Sequence, residues 1–150
     1  MVTPSQQLDR RFQELAPVAR MSRPHRGWIR SIREALGMTT GQLAKRLGAH
    51  QPRVVEMERG EASGNITVQS LERAAEAMGC RLVYVLVPSK PLTKMLEERA
   101  SELARKKLAS VEQTMRLEDQ EVTDESFRTQ AHQRLINELL RRPARLWDET

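Results

Sequence analysis

A short stretch of the chain carries side chains whose hydrogen-bonding groups match the edges of base pairs. An amide can pair with adenine, a guanidinium with guanine and a carboxylate with cytosine, while apolar surface can contact a thymine methyl group. These side chains are Gln51, Arg53 and Glu56, with Pro52 and Val55 as the apolar members. In a helix, Val54 and Met57 would face the other way, into a core. The stretch therefore predicts a helix suited to a DNA major groove.

The residues just before this stretch predict two helices and a tight turn. Apolar residues at helical spacing mark a first helix that should end at Gly37, namely Trp28, Ile29, Ile32, Ala35 and Leu36. Thr39 and Gln42 have the spacing of a capping box, so a second helix should begin there. Only residues 48–50 separate this helix from the base-matching stretch, which requires a sharp turn. Pro52 then falls in the first turn of the third helix, where its missing N–H costs nothing.

The residues that follow predict a fourth helix and then a β-strand. Thr67 can cap a helix with apolar residues at Leu71, Ala74, Ala75 and Met78. Residues 81–88 are β-branched and almost continuously apolar, which is typical of a strand buried on both faces and ended by proline. Because the chain offers this strand no partner, we expect it to pair with a second copy, giving a homodimer through residues 80–88. A short strand or helix packed on its own domain is the alternative.

Positive charge is concentrated in the first part of the chain. Residues 1–90 contain 14 Lys or Arg against 8 Asp or Glu, whereas residues 91–150 contain 11 against 12. A basic surface attracts a polyanion by releasing its counterions, and the resulting binding weakens steeply in salt. A solvated surface without a partner would account for the same charge.

The two ends of the chain carry weaker patterns. Residues 1–26 predict an N-terminal basic appendage, whose stretch from Arg20 to Arg26 could reach DNA or remain a solvated arm. Residues 89–150 predict helices with apolar stripes, as expected for a core, a dimer contact or a partner-binding surface. Residues 27–88 between them would form the helix-turn-helix domain with its C-terminal strand.

Several function classes lack the residues that they require. The single cysteine, Cys80, and the three histidines show no metal-ligand spacing, so we expect no metal and no cofactor. The chain has neither a nucleophile paired with a base nor a glycine-rich phosphate loop, and we do not expect an enzyme. No apolar run approaches the roughly 18 residues of a membrane helix, and the first residues do not form a secretory signal. A cytoplasmic protein is expected.

Two motifs in the basic region carry a resemblance to a known family. Gln-Leu-Ala-Lys-Arg-Leu-Gly at 42–48 and Gln-Pro-Arg-Val-Val-Glu-Met at 51–57, within a pattern that runs from Gly27 to Gly60, resemble the phage-repressor-like helix-turn-helix family, the XRE or Cro/C1 type. The resemblance implies a mainly α fold in which four helices are followed by a strand and C-terminal helices. Residues 65–87 are also similar to antitoxin repressors whose C-terminal strand forms a sheet shared across a dimer.

The resemblance also implies roles for individual residues. Base-reading positions would be Gln51, Pro52, Val55 and Glu56, and positions nearer phosphate would be Thr40, His50 and Arg59. Arg53 could serve in either way. His50 stands where the family usually has a small hydroxyl residue, and Arg33 and Glu58 match an internal ion pair of the family. The implied partner is double-stranded DNA with a palindromic operator, whose half-sites lie about one helical turn apart.

Three further segments resemble the proteins called mobile mystery protein A. They are residues 23–30, 51–54 and 114–120. Genes for such proteins typically lie beside one for a Fic-domain protein, which transfers AMP or a related group onto target proteins. The resemblance therefore implies an autoregulating, antitoxin-like repressor that restrains a Fic toxin. The alternative is a protein-interaction inhibitor of that toxin with little role at DNA.

One short motif bears on the toxin hypothesis. Fic antitoxins carry Ser or Thr four residues before a glutamate that is followed by Gly or Asn. Thr114 and Glu118 have this spacing, with Asp119 in the last place. Because composition alone predicts such pairs by chance, and Thr93 with Glu97 forms a second one, the spacing adds little to the resemblance.

Overall fold

The computed structural model describes residues 1–118 and 124–148, and these residues form helices joined by turns and extended segments. The α-helices are α1 (Pro4–Glu14), α2 (Ala16–Ala19), α3 (Trp28–Ala35), α4 (Thr40–Leu47), α5 (Gln51–Ser63), α6 (Val68–Ala77), α7 (Leu92–Leu117) and α8 (Glu125–Leu140), followed by a 3-10 helix at Pro143–Trp147. Two compact units result. The central unit is Pro17–Leu86, and the terminal unit combines Met1–Ala16 with Val87–Thr150.

The predicted capping box begins α4 in the central unit. The Thr39 hydroxyl accepts a hydrogen bond from the Gln42 backbone N–H at 3.1 Å, and the Gln42 side chain accepts one from the Thr39 N–H at 2.8 Å. The helix ends at Gly48, whose φ of +66° favours glycine because a Cβ is disfavoured there. α5 starts three residues later, at Gln51. Helix, tight turn and helix therefore follow one another as the sequence predicts.

The central unit has one hydrophobic core to which α3, α4, α5 and α6 all contribute. Its buried members are Ile29, Leu43, Ala44, Val54, Met57, Ala74 and Met78. Leu43 and Val54 have no exposed surface. Because these two residues lie on α4 and α5, their packing fixes the angle between the two helices. Truncating a fully buried leucine to alanine typically costs about 2–5 kcal/mol, so the angle is stabilised strongly.

Helix α3 receives its N-terminal cap from a distant acidic residue. Gly27 precedes the helix and supplies no side chain. Instead the Glu61 carboxylate, near the end of α5, accepts hydrogen bonds of 2.8 Å from the backbone N–H groups of Trp28 and Ile29. A Cβ at position 27 would lie 2.7 Å from a Glu61 oxygen, so this approach depends on glycine. The cap satisfies two N–H groups that no turn of the helix can satisfy.

The prediction of a dimer-pairing β-strand at residues 80–88 is wrong. Residues 80–88 form no regular secondary structure, and no sheet is found among the residues that the structure describes. Val83, Tyr84 and Leu86 are 67%, 73% and 87% exposed, so the segment is not a buried strand. The β-branched residues favour extended backbone, but a strand also needs a neighbour for its N–H and C=O groups. No such neighbour is found within residues 1–118 and 124–148.

In the terminal unit, α7, α8 and the 3-10 helix share a second core. Ala100, Leu103 and Leu146 are its buried members. Ser101 contacts His132 through its carbonyl oxygen at 3.3 Å, and an ion pair of 3.2 Å joins Glu112 to Arg128. A residue later in α7 therefore contacts a residue earlier in α8, so the two helices run antiparallel.

Helix α1 belongs to the terminal unit through a second long-range cap. α7 begins after Pro91, which provides no side-chain cap. The Asp9 carboxylate on α1 accepts hydrogen bonds from the Leu92 and Thr93 N–H groups at 2.6 and 3.1 Å, and from the Thr93 hydroxyl at 2.9 Å. Partial burial raises the pKa of Asp9, but the three hydrogen bonds outweigh it and hold that pKa below its ordinary value.

Across the described part of the chain, no helix has both the length and the apolar character that a membrane span requires.

Candidate nucleic-acid interface

The starts of α4 and α5 are joined by a hydrogen bond between two residues that the sequence proposes as DNA contacts. The Gln51 side-chain amide donates to the Thr40 hydroxyl at 2.8 Å. Both residues occupy the first position of their helices, where backbone N–H groups are unpaired and attract anions. The bond fixes the Gln51 side chain beside the turn. The two helix starts therefore form one polar surface.

The outward face of α5 forms a surface groove. Five of the predicted DNA contacts line it, namely Gln51, Pro52, Val55, Glu56 and Arg59, and Gly60, Ser63 and Asn65 extend it. The groove combines amide, carboxylate and guanidinium groups with the apolar surfaces of Pro52 and Val55. The structure thus brings these five residues together on the side of α5 opposite Val54 and Met57, which are buried.

Three predicted contacts lie outside this groove: Arg53, His50 and Thr40, the last of which lines a second groove. Arg53 points toward α6, where its guanidinium pairs with Glu56 at 3.1 Å and donates to the Ser70 hydroxyl at 3.5 Å. Both members of the Arg53–Glu56 pair are exposed, so the pair contributes less than about 1 kcal/mol and opens readily. His50 is exposed at the N-cap of α5 and makes no side-chain capping bond. Its imidazole is free to contact a ligand.

A second groove runs along the other side of Arg59 and contains arginines that the base-matching pattern does not include. Arg26, Arg30, Thr40, Val55 and Arg59 line it together with Arg33, Glu58 and Ala62. Arg30 pairs with Glu34 at 2.9 Å, and this hydrogen bond lowers the pKa of Glu34. Partial burial acts in the opposite direction but is the smaller effect. Thr40, the first residue of α4, lines the same groove as these arginines. Sequence reasoning missed Arg30, because only the packing of α3 against α5 places it there.

The basic stretch before α3 is tied to the end of α5. The Arg23 guanidinium donates to the backbone carbonyl oxygens of Glu61 and Ala62 at 2.6 and 3.4 Å. Carbonyl groups near a helix C-terminus carry partial negative charge and suit a cation. This contact holds the chain on the central unit just before Arg26. Arg26 therefore reaches the second groove from a fixed point rather than from a free arm.

An ion pair between α3 and α5 lines the second groove. The Arg33 guanidinium donates to the two Glu58 oxygens at 2.5 and 3.3 Å, and to the Met38 carbonyl oxygen at 2.8 Å. The bond to Glu58, opposed by burial, raises the pKa of Arg33. Both side chains are about one-tenth exposed. The resemblance implied this pair, and the structure contains it.

The candidate toxin-inhibition residues belong to the terminal unit. Thr114 lies in the last turns of α7 and donates through its hydroxyl to the Ser110 carbonyl oxygen at 3.1 Å. Glu118 follows the helix as its C-cap residue, and both side chains are exposed. Asp119, the last position of the motif, lies outside the described residues.

Comparison with known families assigns the central unit. Residues 29–85 match the model of the helix-turn-helix family. This range spans α3 to α6 and the extended segment that follows, so the unit contains a helix-turn-helix domain of the XRE type. Domains of this family bind DNA and regulate transcription, and they are generally not enzymes. Searches of curated proteins and of solved structures gave no significant match.

Proposed function

We propose that the protein is a sequence-specific DNA-binding regulator of transcription that represses its target. The observation that carries this proposal is the groove on α5, in which Gln51, Pro52, Val55, Glu56 and Arg59 share one outward face of a helix-turn-helix domain. A helix of this width enters a major groove, and these side chains complement base edges.

The positions of the side chains indicate which of them would contact bases and which would contact phosphates. Gln51, Pro52, Val55 and Glu56 would read bases. Thr40, His50 and Arg59 would contact phosphate, because they lie at the helix starts or between the two grooves. Arg53 would contact either, after release from Glu56. Phosphate contacts set register and orientation, whereas base contacts set sequence preference.

Two copies on a palindromic operator remain part of the proposal. Each α5 would occupy one half-site, with centres about one helical turn apart. Support comes from the exposed apolar side chains of Val83, Tyr84, Leu86 and Val87, which offer surface for contact between copies without strand pairing. A selection of binding sites from random double-stranded DNA tests this. Enrichment of a palindrome is expected, and enrichment of a single asymmetric site would contradict the two-copy arrangement.

The resemblance of residues 23–30, 51–54 and 114–120 extends the proposal to an antitoxin. The protein would repress its own gene and restrain a Fic-domain toxin, with Thr114 and Glu118 as candidate inhibitory residues. Their exposure at the end of α7 leaves them accessible to a partner. In an assay that mixes the neighbouring Fic protein with wild type or Glu118→Ala, the variant should release AMP transfer, and Glu97→Ala is the control. Unchanged inhibition by Glu118→Ala would remove this role.

A protein-interaction inhibitor with little role at DNA is the second candidate. It is favoured by the terminal unit, which is a compact unit with a hydrophobic core of its own. The same site selection separates the two functions, because a pure inhibitor enriches no sequence.

A further inference from the structure

The terminal unit contains a groove whose floor is apolar and whose rim is basic. Leu103 on α7 and Leu135 and Leu139 on α8 form the floor, and the cavity has a volume of about 530 Å³. Four cationic side chains line its rim: Lys107, Arg141, Arg142 and Arg145. All four residues are exposed. The groove therefore offers both an apolar surface and positive charge to the same ligand.

The basic rim is held in place by the 3-10 helix at the end of α8. Leu146 has no exposed surface and fills the core beside Ala100. Arg99 donates to the Leu146 carbonyl oxygen at 2.8 Å, and its guanidinium lies 6.0 Å from the Trp147 ring. These contacts anchor the segment that carries Arg142 and Arg145. A ligand would meet a rim whose backbone is already ordered, which reduces the entropic cost of binding.

The four cations of the rim have no acidic partner among the residues that the structure describes. None of them forms an ion pair or a side-chain hydrogen bond with another residue that the structure describes. By contrast, two other cations of the same unit are paired, because Arg99 and Lys106 both donate to Glu102 at 3.2 Å. The positive charge of the groove is therefore available to an external anion.

The rest of the lining favours an acidic peptide with apolar side chains over a nucleic acid. Glu138 and Asp148 also line the groove, and their carboxylates repel any anion beside them. A mixed peptide can place uncharged side chains at these two positions, whereas a phosphate chain carries a negative charge at every unit. The leucine floor would gain nothing from a phosphate chain either. A peptide that alternates acidic and apolar side chains would bury the latter on Leu103, Leu135 and Leu139 while its carboxylates pair with the arginines.

We propose that this groove binds a segment of another protein that carries both acidic and apolar side chains. Arg141, Arg142 and Arg145 would receive its carboxylates, and the leucine floor would bury its apolar residues. This inference concerns the terminal unit and goes beyond the DNA-binding proposal, on which it does not depend. Because planar guanidinium groups bind carboxylates with two parallel hydrogen bonds, arginine suits this role better than lysine.

A phage-displayed library of random peptides tests the proposal with the full-length protein as bait. The comparison bait is Arg142→Glu with Arg145→Glu, which changes exposed residues only, and Arg105→Glu with Arg134→Glu is the control of equal charge change on exposed positions of the same unit. We expect enriched peptides that combine Asp or Glu with Leu, Ile, Met or Phe. As labelled synthetic peptides measured by fluorescence anisotropy, they should bind the groove variant at least about tenfold more weakly than wild type or control.

Three outcomes would overturn the proposal. One is the absence of any peptide that distinguishes wild type from the groove variant while both retain the helical circular dichroism of the folded protein. Another is enrichment of acidic peptides without apolar residues, which would indicate a simple polyanion surface. The third is a loss of affinity for non-specific double-stranded DNA in the groove variant that exceeds the loss in the control, which would assign the groove to nucleic acid.

Discussion

The carboxylate of Glu61 accepts a hydrogen bond of 2.8 Å from the backbone N–H of Ile29, so that a residue near the end of α5 caps the start of α3. Glu61 is only 2% exposed and also accepts from Trp28, while Arg23 donates to its backbone carbonyl oxygen. One residue thus connects the basic stretch before α3 with the start of α3 and the end of α5. The connection holds α3 against α5, the helix that carries most of the proposed DNA contacts.

Removing this cap should destabilise the central unit. In Glu61→Ala two backbone N–H groups lose their acceptor while remaining partly or fully buried, which costs about 1–3 kcal/mol for such a group. Urea unfolding followed by circular dichroism measures the change. The matched control is Glu72→Ala on the exposed face of α6, which should alter the free energy of unfolding by less than about 0.5 kcal/mol. Equal effects of the two substitutions would show that the cap contributes nothing specific.

The ion pair between Arg33 and Glu58 should behave as a buried pair. Glu58→Ala leaves the Arg33 guanidinium without its main acceptor in a site that is about one-tenth exposed, and typical losses are about 3–5 kcal/mol. Replacing both residues, as Arg33→Met with Glu58→Leu, should recover much of that loss because no charge stays buried. Equilibrium unfolding of Arg33→Met, Glu58→Leu and the double variant gives the coupling energy. Additive losses would contradict a direct interaction.

The cap that Asp9 provides to α7 should make stability depend on acidic pH. The hydrogen bonds from Leu92 and Thr93 hold the pKa of Asp9 below its ordinary value in the folded protein. The stabilisation is therefore fully present above the ordinary value and is lost as pH falls through the lower, folded-state value. The difference in stability between wild type and Asp9→Ala should shrink over that acidic range. A difference that grows as pH falls would contradict the assignment, and Glu14→Ala provides the control.

The second groove should contribute affinity without sequence preference. Arg26→Ala and Arg30→Ala each remove a charge that faces phosphate in the proposed complex, so binding should weaken for all sequences alike. The slope of log affinity against log salt should also fall by about 0.9 per lost contact. Arg73→Ala, on α6 outside both grooves, should leave the slope unchanged. A slope unaffected by either groove variant would separate this surface from DNA.

A base-reading residue should have a different effect from these arginines. Glu56→Ala should relax preference at one position of each half-site, where discrimination between bases typically amounts to about 1–3 kcal/mol. Site selection with the variant measures this preference position by position. If every position weakened equally, Glu56 would be a phosphate-side residue rather than a reader.

Local signals predicted the helices of the central unit, and contacts between distant residues account for what was missed. The capping box of Thr39 and the left-handed Gly48 act within one turn of chain, so spacing alone locates the ends of α4. The caps from Glu61 and Asp9 join residues far apart in sequence, and no periodicity indicates them. The prediction of a strand over residues 80–88 was wrong for the opposite reason: local β propensity is strong, but the described part of the chain holds no neighbouring strand for it to pair with.

The candidate site was likewise only partly predictable. The outward face of α5 follows from helical periodicity once Val54 and Met57 are assigned to the core. The turn of Arg53 toward Ser70, and the position of Arg30 beside Arg59, depend on how α3 and α6 pack against α5. Charge counts place the basicity in the first part of the chain but do not say which arginines share a surface.

The measurement that tests the central claim most directly is binding to the DNA upstream of the protein's own gene. Wild type, Gln51→Ala with Arg53→Ala, and the control Gln69→Ala with Arg73→Ala on α6 would be compared by footprinting at low and moderate salt. The account predicts a specific footprint that weakens with salt, persists in the control and is lost when Gln51 and Arg53 are changed. An equal footprint with all three proteins, or no specific footprint with wild type at low salt, would contradict it.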